Sequence, residues 1–124
     1  MDQNTLVKSG HTLLKAMDEA GFSPRFAMWV NNSDTGTWKL WIVPMAGQKD
    51  KMDFYRRISH VISAHRSELG SFSASDTEMV LDTHPAMVGM KNFIRAPGLS
   101  NLSFSGNRFN GFYLPDGIIL RADL

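Results

Sequence analysis

Cysteine is absent from this chain of 124 residues. Its absence excludes a disulfide framework, a thiolate nucleophile and a cysteine-ligated zinc site, and it fits a reducing compartment. No apolar run approaches the ~20 residues that a membrane-spanning helix needs, so no membrane association is expected. The opening stretch MDQNTLVKSG carries neither the basic region nor the apolar region of a secretory leader. The expected location is cytoplasmic. An excess of one charge sign is missing too: 13 Lys and Arg stand against 12 Asp and Glu, a net charge of +1. Dedicated nucleic-acid binders are usually more basic, and the balance excludes an acidic nucleic-acid mimic. Phosphate-binding glycine loops, nucleophile elbows, HExxH pairs and EF-hand loops are all lacking. No cofactor is expected, and no residue stands out as catalytic.

What is present describes an ordinary soluble fold, 43% apolar and 20% charged. The length fits one domain over 1–124, large enough to bury about two-thirds of its unfolded surface. Residues 5–20 read as a helix with Leu6, Gly10, Leu13, Leu14 and Met17 on one stripe. Gly21 and Phe22 suit its C-terminal cap. Strands are expected at 25–31 and 37–43, joined by an Asn/Ser/Asp/Gly loop. Residues 50–69 form the clearest helix: Asp50 caps it, Gly70 stops it, and Phe54, Ile58, Val61, Ile62 and Leu69 share an arc. His65 falls inside that arc and reads as a core histidine.

A short strand is expected over 77–83. A short helix follows at about 85–95, with Pro85 at its first position and Met87, Met90, Phe93 and Ile94 on one face. The closing stretch SGNRFNGFYLPDG offers turns at Gly106-Asn107, Asn110-Gly111 and Pro115-Asp116-Gly117. Placing the turn at Gly106-Asn107 gives longer strands, so a three-stranded meander is expected over 101–105, 108–114 and 118–122. The fold class is therefore α+β: a mostly antiparallel five- or six-stranded sheet, with two long helices and one short helix mainly on one face.

Pleating sends alternate side chains to opposite faces. In the meander, Leu114 is expected opposite Ile118 and Phe112 opposite Leu120. Phe109, Tyr113 and Ile119 then point the other way. In the first hairpin, Phe26, Met28 and Val30 oppose Trp29. Both faces carry large apolar groups, more than helices on one side can cover. Either the helices divide between the faces, or another chain covers one of them. The leading functional expectation is a non-enzymatic protein-interaction module, self-associating as a homo-oligomer or serving a larger assembly. Trp29, Trp41, Phe112, Leu114 and Leu120 are its candidate interface.

Two further readings are weaker. A nucleic-acid-contacting surface would use Lys51, Arg56, Arg57, His60 and Arg108. From Arg108, however, only three of the seven constrained positions of the RNA-recognition aromatic motif fit. A solvated helix face also accounts for the same charges. An enzyme would be a metal-dependent hydrolase at Asp82 and His84, about 7 Å apart if both lie on one strand, or a metal-free nuclease around His60. His60 and His65 are five apart, about 140° around a helix, which excludes them as a zinc pair. Charges such as Glu78 and Asp82 on an edge strand also serve simply to prevent sheet-to-sheet pairing.

Overall fold

The computed structural model describes residues 2–32 and 34–124, with the side chain of Asn107 left aside. Helix α1 (Gln3–Glu19) starts at Asp2, whose carboxylate accepts the Thr5 N–H at 2.8 Å. It ends in a Schellman motif: Phe22 N–H donates to Met17 O and Gly21 N–H to Asp18 O, with Gly21 at φ +72°. Strands β1 (Phe26–Asn32) and β2 (Thr37–Val43) form the first hairpin. Helix α2 (Lys51–Ala64) is capped by Asp50, which accepts from the Met52 and Asp53 N–H groups. The expected single helix over 50–69 breaks at His65, and a short turn of helix, α3 (Arg66–Leu69), follows. His65 is half-buried as the α2 cap rather than a core residue.

Strand β3 (Thr77–Met79), helix α4 (Pro85–Lys91), and strands β4 (Leu102–Phe104), β5 (Asn107–Phe109), β6 (Phe112–Leu114) and β7 (Gly117–Ala122) complete the chain. Among the described residues no helix is long and apolar enough to cross a membrane.

The fold is α+β. A five-stranded sheet runs in the order β3-β2-β1-β7-β4, and β5 and β6 form a separate two-stranded ribbon. All neighbours in the large sheet are antiparallel except β2 and β3. On one face, Ala27, Trp29, Leu40, Ile42, Ile118 and Leu120 pack under α1, α2 and α3. On the other, Phe26, Met28, Val30, Val43, Ile119 and Ala122 pack under Ala86, Met87 and Met90 of α4 and Leu114 of β6. The two long helices thus share one face, while the short helix and the ribbon cover much of the other.

The closing segment departs from the expected meander. Its tight turn falls at Asn110-Gly111, where φ is +53° and +79°, as a two-residue hairpin turn requires. Leu114 therefore lies opposite Asn107 and not Ile118. Strand β7 leaves the ribbon and inserts between β1 and β4. The ribbon is short, but it leans on α4. A Cβ at Gly89 would sit 2.8 Å from the backbone of Phe109 and Asn110, so the glycine allows the turn to approach the helix directly.

Strand β7 also carries a bulge. Ala27 faces Arg121 while Met28 faces Ile119, which leaves Leu120 as the extra residue. The bulge turns Arg121 toward the α1 face, where it meets Asp18.

Candidate docking cleft

Alternation along β2 sends Lys39 and Trp41 to the second face, the face that α4 and the ribbon only partly cover. Strand β3 runs parallel beside β2 and sets Glu78 next to Trp41. Above them β6 brings Phe112 and Leu114. Between sheet and ribbon lies a cleft of about 450 Å³, within the size range of ligand sites. Val30 and Leu114 supply apolar walls, Trp41 and Phe112 supply rings, and Lys39 and Glu78 supply the charges.

His84 stands behind the rings. Its centroid lies 5.4 Å from Trp41 and 4.7 Å from Phe112, both edge to face, an arrangement that adds to simple burial. As the N-cap of α4, its Nδ1 accepts the Ala86 N–H at 3.1 Å, so the ring is the neutral Nε2–H tautomer. Burial pushes its pKa below the ordinary 6.5, and the nearby Glu78 carboxylate opposes that only in part. Phe112 remains 37% exposed and Trp41 half-buried.

The charged groups differ in how they are engaged. Lys39 Nζ donates to Ser75 O. Among the described residues, no hydrogen bond or ion pair engages the Glu78 carboxylate. Glu78 also borders a neighbouring depression lined by Lys51, Tyr55, Leu81 and His84.

Of the candidate interface residues, only Trp41 and Phe112 reach this cleft with open surface. Trp29 is interior, 2% exposed, and its Nε1–H donates to Leu6 O at 2.7 Å. Leu114 and Leu120, at 1% and 0%, are enclosed by intrachain neighbours. Trp29 and Leu120 cannot present a docking surface, and Leu114 reaches the cleft only as part of its nearly closed floor, because the helices divide between the faces and the ribbon folds over the second.

The basic residues do not converge. Arg56 and Arg57 both lean on Asp53, and Arg57 also lies over the Phe22 ring at 4.9 Å. Lys51 and His60 are exposed on α2. Arg108 belongs to the ribbon, on the opposite side of the sheet, over the Tyr113 ring at 5.7 Å.

Asp82 and His84 do not share a strand face either, because β3 stops at Met79. Asp82 pairs with Arg25 at 3.2 Å, and Asp76 accepts the Ser73 N–H at 2.9 Å. No group of three or more His, Asp or Glu among the described residues could hold a metal ion.

Sequence reasoning missed His84 as part of the aromatic cluster. The signal was a His-Pro pair opening a short helix, which marks a capping position. Compared with protein-family models, curated proteins and solved structures, the chain has no significant match.

Proposed function

We propose that this protein is a non-enzymatic interaction module that docks a segment of another protein in the cleft between β2 and β6. One observation carries the reading: Trp41, His84 and Phe112 form a braced ring cluster whose outer surface is left open to solvent. Rings held rigidly by their neighbours lose little entropy on binding, and large aromatics dominate the energetics of protein contacts. The cleft lacks the pairing that catalysis needs. The imidazole behind its rings, His84, spends Nδ1 on capping α4, and among the described residues no hydroxyl or carboxylate is hydrogen-bonded to it. The second apolar face is largely covered by the chain's own α4 and ribbon, which favours a separate protein partner over a homo-oligomer. The lack of cysteine is in keeping with a cytoplasmic setting.

Selection from a displayed random-peptide library against the immobilised chain tests this. Peptides are expected that bind the natural chain and lose binding to Phe112→Ala. A selection that yields no peptide dependent on Phe112 overturns the reading.

A further inference from the structure

Resting on the docking reading above, we infer that the anchor entering this cleft is a cationic side chain, Lys or Arg, of the partner protein. Three features of the cleft converge on that chemistry.

The first is the rings. A cation over an aromatic face is attracted by its quadrupole, most strongly over Trp. The chain places its own guanidinium groups in this way twice, Arg57 over Phe22 and Arg108 over Tyr113. Among the described residues, no Lys or Arg lies over the Trp41 or Phe112 ring.

The second is charge. Glu78 reaches the cleft from β3 with its carboxylate unengaged among the described residues. The opposing charge, Lys39, keeps its charge, but its Nζ is held at the Ser75 carbonyl and not at Glu78. Lys51 borders Glu78 from the neighbouring depression rather than from the cleft. His84, whose Nδ1 accepts the Ala86 N–H and is therefore unprotonated, adds no repulsion. An incoming ammonium or guanidinium would therefore complete an ion pair as the site is desolvated. An apolar anchor would form no such pair with Glu78. An acidic anchor would meet it as a like charge.

The third is shape. The open apolar surface of the cleft comes from Trp41, Phe112 and Pro115. Lys and Arg carry long methylene stems that pack on such surface while the charged head stays at the polar rim. Apolar walls leading to a carboxylate suit a stem and a head in that order.

The experiment takes peptides selected from the random library and measures their dissociation constants by fluorescence anisotropy. The chain is used as natural protein, Phe112→Ala and Glu78→Gln. Both positions are exposed, so both variants are expected to fold, which circular dichroism verifies. The Phe112-dependent peptides should share a Lys or Arg whose replacement by norleucine weakens binding about tenfold or more. Glu78→Gln should weaken the same peptides about 2- to 5-fold and reduce the salt dependence of binding. Phe112-dependent peptides without a common Lys or Arg would overturn the cationic anchor and leave the docking cleft standing. The same holds if Glu78→Gln binds them unchanged. A selection with no Phe112-dependent peptide overturns both.

Discussion

Arg121 grips Asp18 with both ends of its guanidinium, Nη1 to Oδ1 and Nη2 to Oδ2, each at 2.8 Å. The two residues lie 103 positions apart in the chain. The same side chain donates to Pro24 O and Gly98 O. It thereby ties the end of α1, the approach to β1 and the segment before β4 to the interior strand β7. Arg121 is only 8% exposed along its side chain, whereas Asp18 is 36% exposed.

Removing the acid strands a nearly buried cation. Asp18→Asn is expected to lower stability by about 1–3 kcal/mol, below the full cost of breaking a wholly buried pair because water reaches Asp18. Arg121→Lys should fall in a similar range, since an ammonium cannot reproduce the two-point contact. Urea unfolding at neutral pH measures both. The pair also predicts an acid limb. Hydrogen bonding to Arg121 holds the Asp18 carboxyl below its ordinary 3.8. Its stabilisation is therefore complete above that value and is lost as pH falls through the lower folded one. The acid limb of Asp18→Asn should be shallower.

Gly89 and Gly98 make a matched pair of opposite expectation. Glycine to alanine inside a helix ordinarily stabilises by about 1 kcal/mol. At Gly89 the added carbon would lie 2.8 Å from ribbon backbone, which cannot yield as a flexible side chain does. Gly89→Ala should therefore destabilise by about 1–3 kcal/mol and loosen the ribbon, seen as faster amide exchange at Phe109 and Phe112, the pair that closes its turn. At Gly98 nothing stands within 4 Å, and Gly98→Ala should be close to neutral.

The contrast between these features marks what could be read in the sequence. Asp50, Pro85 and the Gly21-Phe22 cap were legible because each acts on partners within about a turn of helix. The β1–β2 hairpin was legible from its alternation and its loop residues. The placing of β7 was not. Gly106, Asn110 and Gly111 all adopt positive φ, so turn chemistry permitted more than one hairpin. The contact of α4 with the ribbon at Gly89, remote in sequence, decided among them. The bulge at Leu120, which delivers Arg121 to Asp18, leaves no local signature. For the site, residue type named Trp41 and Phe112. It could not separate them from Trp29, Leu114 and Leu120, because type does not reveal which apolar face the rest of the chain covers. Glu78 and His84 were legible as polar residues near one another, but their roles depended on where β3 stopped.

Phe112 and Leu114, two positions apart on β6, should respond oppositely to truncation. Leu114 lies fully inside the second core. Leu114→Ala should cost about 2–5 kcal/mol through lost burial and the cavity left behind. Phe112 gives up part of an already exposed surface, so Phe112→Ala should cost less stability while removing peptide binding. Thermal unfolding and anisotropy measured on the same preparations separate the two effects. Equal loss of stability at both positions would mean that Phe112 belongs to the core and not to a docking surface.

His84 couples the cleft to pH. Its folded-state pKa lies below 6.5, with burial as the main cause, so the unfolded chain takes up this proton at a higher pH than the folded one does. Stability should therefore be full above about pH 6.5. It should decline as pH falls between the unfolded and folded values and level off once both states are protonated. Protonation also removes the lone pair with which Nδ1 accepts the Ala86 N–H and places a cation behind Trp41 and Phe112, where it would repel a Lys or Arg anchor. His84→Asn keeps a capping acceptor without a titrating group. Its stability should change less than that of the natural chain between pH 8 and 5, and its peptide binding should lose less affinity over the same range. His84→Ala, with neither cap nor ring, should lose about 0.5–2 kcal/mol from the cap at neutral pH and above, and less at low pH, where the protonated natural side chain no longer accepts the Ala86 N–H. Parallel pH profiles for the natural chain and His84→Asn would place the titrating group elsewhere.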